Sequence, residues 1–132
     1  MLDEQVAAQI RLELELIERL LASYQDLLAR ASQSITTEPT LIETTAIASV
    51  LHSFYNGLEN IFQLIAKRFD QQSLSGDRWH QSLLEQMTKN TERRAAILTA
   101  ETAAHLRDYL GFRHFYRHSY SFVLDWRRIA VL

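Results

Sequence analysis

Near the end of the chain, residues 113–120 bring together two arginines, two histidines and two tyrosines within eight positions. Histidine is the side chain whose ordinary pKa lets it both accept and donate a proton near neutral pH. Arginine carries a permanent charge on a planar fork that fits the oxygens of a phosphate group. A proton-transfer group beside a phosphate clamp is what cleavage of RNA through its ribose 2′-hydroxyl requires. The composition of residues 113–120 therefore predicts chemistry at a phosphodiester.

Within this segment, Arg113 and His118 are the candidate catalytic residues. His118 would deprotonate a ribose 2′-hydroxyl or protonate the leaving 5′-oxygen, while Arg113 would stabilise the charge on the scissile phosphate. Because the attacking oxygen belongs to the RNA, we expect no metal or cofactor, a 2′,3′-cyclic phosphate product and no cleavage of DNA. A second proton-transfer group is needed, and His114 or a histidine from a second copy would supply it. On a regular helix Arg113 and His118 lie about 140° apart, so a turn of the chain or a second copy must bring them together.

Two other interpretations of the same residues stay open. Arginines and histidines at the end of a helix commonly serve as surface residues that match the helix dipole. His114 and His118 also have the i, i+4 spacing of helical zinc ligands, although no acidic third ligand lies beside them in the sequence. His52, His80 and His105 stand alone in the sequence, and we expect each to be a surface or hydrogen-bonded packing residue.

The composition indicates one domain, residues 1–132, with a sizeable core and long helices. Hydrophobic residues make up 47% of the chain, while only 3 glycines and 1 proline are available for turns. The lack of cysteine excludes disulfides and thiolate sites and suits the cytoplasm. No apolar run is long enough to span a membrane, and the acidic N-terminus is unlike a secretory signal.

The charge is distributed unevenly along the chain. The formal net charge of -2 argues against a protein that coats nucleic acid by bulk attraction. Residues 105–128 nevertheless carry five arginines against two aspartates, a local charge of +3. This basic end is suited to engaging a few phosphates rather than a long duplex.

Apolar periodicity predicts that helices position residues 113–120. The first three predicted helices cover residues 3–32, 40–69 and 78–89, the last of them capped by Asp77. A fourth runs from an N-cap at Thr99 to about Ser119 and is followed by a turn and a short final helix. We therefore predict an all-α fold, an antiparallel four-helix bundle with a short C-terminal extra helix. The first helix is apolar on two sides, which indicates a central position or a contact with another subunit.

The pattern Arg-x4-His-x-Tyr, present at Arg113, His118 and Tyr120, resembles the signature of HEPN-domain ribonucleases of the HepT toxin type. His114 fits the polar residue that usually follows the arginine. Three further segments are similar to one HepT-like branch: SFYNGLENIF at 53–62, WHQSLLEQM at 79–87 and LDW at 124–126. The resemblance covers roughly residues 40–128 and rests on the ordered combination of segments rather than on one short pattern.

The resemblance implies a HEPN-like bundle that forms a homodimer and joins two copies of the motif in one cleft. It implies a metal-independent endoribonuclease toxin acting on tRNA or mRNA, with Arg113 and His118 catalytic and His114 assisting. It also implies a cognate minimal nucleotidyltransferase antitoxin that attaches AMP to Tyr120, placing negative charge against the arginines. Arg117 departs from the commoner apolar residue and would contact RNA phosphate or face solvent. The alternative is a non-catalytic helical partner that binds a nucleotidyltransferase or a nucleotide.

Overall fold

The structure, a computed structural model, describes residues 2–33, 38–117, 120 and 124–132. Over these residues the regular secondary structure is helical, and Thr91 and Arg94 form one isolated β-bridge. The helices are α1 (Leu2–Ser23), α2 (Gln25–Gln33), α3 (Leu41–Arg68), α4 (Trp79–Gln86), α5 (Ala100–Arg117) and α6 (Trp126–Ile129). The predicted all-α fold is confirmed. None of the described helices is both long and apolar enough to cross a membrane.

α3 is the central helix, and α1, α2, α4 and α5 all pack against it. Its start is defined by a capping box, in which Glu43 N–H donates to Thr40 Oγ1 at 3.1 Å and Thr40 N–H donates to Glu43 Oε1 at 3.0 Å. Buried apolar side chains then recur along its length, at Ile47, Val50, Tyr55, Ile61, Phe62 and Ile65. The helix predicted over 40–69 is therefore present with nearly the same bounds.

α1 and α3 run antiparallel and approach closely. Glu13 of α1 accepts a hydrogen bond from Asn60 of α3 at 3.4 Å. Ile17, one turn after Glu13 on α1, lies opposite Gly57, which precedes Asn60 on α3. A Cβ added at Gly57 would lie 2.8 Å from Ile17 Cγ1. The missing side chain at Gly57 leaves room for Ile17, so the glycine allows the close packing expected of it.

The helix predicted over 3–32 is instead two helices separated at Tyr24. Ser23 Oγ donates to the carbonyl of Arg19 at 2.7 Å, a side-chain bond of the kind that bends helices. The N–H of Tyr24 then donates to Leu21 at 3.3 Å, one residue short of the α-helical pattern. Beyond this break, the leucines of α2 join an apolar cluster with the start of α3 and with α6.

α5 also runs antiparallel to α3. The ring centroids of Tyr109 and Tyr55 lie 6.4 Å apart, and those of Tyr116 and His52 lie 4.7 Å apart. Contacts therefore move back along α3 as the chain advances along α5. Thr99 caps the helix as predicted, since Thr99 Oγ1 accepts a hydrogen bond from the N–H of the third residue after it at 3.1 Å. α5 ends at Arg117 and therefore carries most of the segment 113–120 along its last turn.

α4 is shorter than the predicted helix, and the predicted cap is wrong. The helix begins at Trp79 with no side-chain cap, and the N–H of Trp79 donates to Gly76 rather than to Asp77. At the other end, the carbonyl of Met87 accepts two N–H groups of the following connection at 2.9 and 3.0 Å. The connection therefore folds back over the end of α4 and stops the helix at Gln86.

Candidate functional site

A cavity of about 420 Å³, here called the arginine cavity, opens between α4 and α5. From α5 it is lined by Arg107, Leu110, Gly111, Arg113, His114 and Arg117. From α4 and the turn before it come Asp77, Arg78, His80 and Gln81. The α5 residues recur at steps of about three and four, so one face of that helix forms the wall.

Arg113 is held in a fixed direction by α3. Its Nε donates to Asn56 Oδ1 at 2.9 Å, and its Nη1 lies 3.7 Å from Glu59 Oε1. Nη1 also lies 3.3 Å from Nδ1 of His80. The guanidinium side chain is only 16% exposed, yet it lines the arginine cavity. A fork held in this way is prepared to bind an anion without first being ordered.

Glu59 and His80 form the other half of this network. The carboxylate of Glu59 is buried, and its Oε2 lies 2.8 Å from His80 Nδ1. A buried carboxylate is stable only when it is paired and hydrogen-bonded, and Glu59 meets this condition through His80 and Arg113. The ring of Trp79 covers the His80 ring at a centroid distance of 3.6 Å. The carboxylate thus orients the arginine and the histidine towards the same cavity.

His52 supports Asn56 from the opposite side. The carbonyl of Asn56 accepts from Arg113, so its amide group donates to His52 Nε2 at 3.2 Å. Burial lowers the pKa of His52, and the charges of Arg113 and Arg117 lower it further. A neutral ring can accept the amide hydrogen, so His52 stabilises the Asn56 orientation that holds Arg113.

The arginine cavity is strongly positive. Four arginines and two histidines line it, against the single carboxylate of Asp77 among the described residues. Over the part of the chain that the structure describes, Arg78, Arg107 and Arg117 take part in no ion pair. Charges that are not neutralised and that converge on a concave site raise the local concentration of anions. The cavity is therefore suited to phosphate groups.

The structure brings together three of the residues predicted from the sequence. Arg113, His114 and Arg117 line the same cavity, and His114 and Arg117 are exposed on it. Tyr120 lies beyond the end of α5 and is 76% exposed. His118, the predicted proton-transfer residue, lies outside the described residues.

Sequence reasoning missed Asn56 and Glu59, and it treated His80 as a surface or hydrogen-bonded packing residue rather than as part of the site. His80 contacts Glu59 and Arg113 across 21 and 33 positions of sequence. The sequence contains a pattern that indicates a structural role for Asn56 and Glu59. His52, Asn56 and Glu59 follow one another at helical spacing on one face of an otherwise apolar helix, and such a stripe indicates buried polar groups with partners elsewhere.

Over the described residues, no group of three or more histidines, aspartates and glutamates is arranged to hold a metal ion. The zinc alternative from the sequence rests on His114 together with His118, and His118 lies outside those residues. Zinc sites in proteins commonly use at least three protein ligands.

Comparison with known proteins finds a family whose model matches the chain. The model of the HepT-like protein family matches residues 46–132, more than half of the chain. The matched range includes every described residue that lines the arginine cavity, together with Asn56 and Glu59. Neither the curated proteins nor the solved structures contain a match to the chain. With its helical fold and this extent of match, the chain belongs to the HepT-like family of HEPN-type proteins.

Proposed function

We propose that this protein is the toxin of a toxin–antitoxin pair, a single domain spanning residues 1–132 that acts as a metal-independent endoribonuclease on tRNA or mRNA in the cytoplasm. Membership of the HepT-like family points to this class. The observation that carries the proposal is the position of Arg113. Its guanidinium is oriented by Asn56 and Glu59 and lines a cavity with three further arginines.

The chemistry follows from the groups at the site. Arg113 binds the scissile phosphate and stabilises the charge that grows on its oxygens. His118 and His114 transfer protons to or from the ribose 2′-hydroxyl and the leaving 5′-oxygen. Arg117, exposed in the same cavity, contacts a phosphate of the bound strand. The product is a 2′,3′-cyclic phosphate, and DNA is not cut because it lacks the attacking hydroxyl.

A non-catalytic partner protein is the competing candidate, and one observation favours it. Arg113 lies beside the buried carboxylate of Glu59, as a purely structural arginine would. In that case the arginine cavity would bind a nucleotide or a nucleotidyltransferase without cleaving RNA. The two candidates differ in whether the wild-type chain cleaves RNA and whether that cleavage needs Arg113.

Arg113→Lys separates these candidates. Lysine keeps a positive charge beside Glu59 but loses the planar fork and the Nε donor. We expect the variant to fold and to cleave RNA at least about 100-fold more slowly, a loss typical of removing one stabilising donor. The measurement is single-turnover cleavage of RNA in EDTA, with thermal unfolding recorded in parallel.

Arg93→Lys is the matched control, because Arg93 is exposed and does not line the arginine cavity. It should cleave RNA at the wild-type rate. No RNA cleavage by the wild-type chain, or cleavage that EDTA abolishes, would count against the proposed function. Absence of RNA cleavage by wild type would favour the partner protein, whereas cleavage by Arg113→Lys at the wild-type rate would assign Arg113 a structural role within a ribonuclease.

Neutralisation by a cognate minimal nucleotidyltransferase is proposed to occur at Tyr120. The tyrosine is 76% exposed, so an enzyme can reach this residue. Attached AMP would bring a phosphodiester to the arginines and compete with RNA for them. Intact-mass measurement after co-expression should show added AMP, which Tyr120→Phe should remove and Tyr24→Phe should not. AMP found on the Tyr120→Phe chain would place the modification elsewhere.

A homodimer is proposed because α1 leaves apolar side chains uncovered. Leu12 and Leu16, one turn apart on α1, are 56% and 48% exposed, and exposed apolar surface of this kind marks an interaction site. A second copy would also supply another set of histidines for proton transfer. Sedimentation of the purified chain is expected to give twice the mass of one chain, and the mass of a single chain would contradict the dimer.

A further inference from the structure

Cleavage through the 2′-hydroxyl needs a base as well as an acid, and His80 of α4 has the environment of a base. Its Nδ1 lies 2.8 Å from Oε2 of Glu59, whose side chain is 5% exposed. Its own side chain is 25% exposed and lines the arginine cavity. One edge of the ring is thus tied to a buried carboxylate, while the residue still reaches the cavity.

The partner at Nδ1 determines the tautomer of His80. An ionised carboxylate only accepts hydrogen bonds, so Nδ1 carries the hydrogen and donates it to Glu59. In the neutral ring, Nε2 then carries the lone pair, and Arg113 Nη1 lies 3.5 Å from it. A carboxylate that orients a histidine through Nδ1 leaves Nε2 available to accept a proton and stabilises the imidazolium that forms.

The phosphate-binding group lies beside this lone pair. Arg113 Nη1 is 3.3 Å from Nδ1 and 3.5 Å from Nε2 of His80. A phosphate bound by Arg113 would therefore bring its ribose within reach of His80. The ring of Trp79, tilted by 31° against the imidazole at a centroid distance of 3.6 Å, limits its rotation and so helps to preserve this geometry.

We propose that His80, in place of His114, is the general base of the ribonuclease reaction and that Glu59 is its positioning residue. His80 Nε2 takes the proton as the O–H bond of the 2′-hydroxyl breaks and the O2′–phosphorus bond forms. The phosphorus–O5′ bond breaks, and the leaving 5′-oxygen takes a proton from His118. The products are a 2′,3′-cyclic phosphate and a free 5′-hydroxyl, and the two histidines have exchanged protonation states. This assignment rests on the proposed ribonuclease function.

His80→Gln tests the assignment, because glutamine can still donate to Glu59 but cannot serve as a base. Two RNA substrates are compared, one natural and one with sulfur in place of the bridging 5′-oxygen, whose leaving group needs no proton. We expect His80→Gln to cleave both substrates at least about 100-fold more slowly than wild type. His118→Gln should be slow on the natural RNA and largely restored on the sulfur substrate. His105→Gln, an exposed histidine of α5 outside the cavity, should match wild type.

Glu59→Gln provides a readout that a structural role would not change. Without the carboxylate, Nδ1 of His80 is no longer fixed as the donor, so Glu59→Gln should cleave both substrates more slowly than wild type, while Glu59→Asp, which keeps a carboxylate, should recover part of the rate. Equal rates for Glu59→Gln and Glu59→Asp at equal thermal stability would remove the positioning role. Thermal unfolding of each variant confirms that it is folded.

The two substrates distinguish failure of the ribonuclease function from failure of the His80 assignment. If the wild-type chain cleaves neither substrate, the proposed function fails and the assignment of His80 fails with it. If wild type cleaves RNA and His80→Gln cleaves equally well, the ribonuclease function stands and His80 is not the base. Restoration of His80→Gln by the sulfur substrate would make His80 the acid and would also overturn the proposal.

Discussion

The five N–H donors of Arg113 allow it to satisfy two requirements at once. Its Nε and Nη1 groups engage Asn56 and Glu59, which fix the plane of the guanidinium, and the remaining donors are available to a ligand. Lysine has a single ammonium group on a flexible stem and cannot divide its donors in this way. The position of α3 therefore sets the orientation in which Arg113 faces the arginine cavity.

Asp70 offers a second test at the scale of the residue. Its side chain is only 1% exposed and accepts from Arg94 Nε at 2.8 Å, from Arg94 Nη2 at 2.5 Å and from Gln86 Nε2 at 2.9 Å. Burial alone would raise the pKa of Asp70, but the hydrogen bonds and the charge of Arg94 outweigh it and hold the pKa below the ordinary 3.8. The contribution to stability is therefore complete above pH 3.8 and is lost as the pH falls through the lowered pKa.

We expect Asp70→Asn to lower the free energy of unfolding by about 3–5 kcal/mol at pH 7, because Arg94 would be left as a buried charge without its partner. The difference between wild type and variant should shrink as the pH approaches the lowered pKa of Asp70. Urea unfolding between neutral and acidic pH measures this difference. Asp108→Asn, at an exposed position of α5, should change stability little. A difference between wild type and Asp70→Asn that does not vary with pH would contradict the prediction.

At the scale of the elements, the contact between α1 and α3 depends on Gly57. A Cβ at this position would lie 2.8 Å from Cγ1 and 2.9 Å from Cδ1 of Ile17, inside van der Waals contact. We expect Gly57→Ala to destabilise the protein by about 1–3 kcal/mol through overpacking, despite the better helix propensity of alanine. Thermal or urea unfolding provides the measurement.

Gly111→Ala is the matched control, because a Cβ at Gly111 meets nothing within 4 Å. It should raise stability by up to about 1 kcal/mol. The Gly57→Ala change should be tolerated better when Ile17 is also shortened to alanine, and this coupling identifies the contact. Equal effects of Gly57→Ala in both backgrounds would show that Ile17 does not limit the approach of the two helices.

At the scale of the whole molecule, a chain with net charge -2 presents a cavity lined by four arginines. The remaining residues carry a net negative charge, so we expect anions to bind at this cavity and few phosphates to be engaged. The fold thus concentrates positive charge that the overall composition does not reveal.

The salt dependence of RNA binding measures how many phosphates are contacted. We expect Arg107→Ala to weaken binding and to reduce the slope of log affinity against log salt by about 0.7, the contribution of one phosphate contact on a single strand. Fluorescence anisotropy with RNA whose 2′-hydroxyls are methylated, and which cannot be cleaved through them, gives the slope. Arg93→Ala should leave it unchanged, and an unchanged slope for Arg107→Ala would exclude Arg107 from phosphate binding.

The fold was largely predictable at the level of its elements. Apolar periodicity, the cap at Thr99 and the polar stretch before Thr40 are local signals, and helices near 41–68 and 100–117 follow from them. The break at Tyr24 was not predicted, because it depends on a Ser23 side-chain bond that the periodicity does not record. α4 ends early because the connection that follows it folds back onto Met87, which is a tertiary contact.

The sequence by itself determined that the chain is helical and that Arg113, His114 and Arg117 share a short segment, because helix periodicity and short patterns are properties of neighbouring residues. Only the tertiary structure decided what surrounds them. Asn56 and Glu59 lie 57 and 54 positions before Arg113, and His80 lies 33 before it. Residues so far apart meet because α3, α4 and α5 bury their apolar faces together. That packing fixes the direction of Arg113 and places His80 beside it.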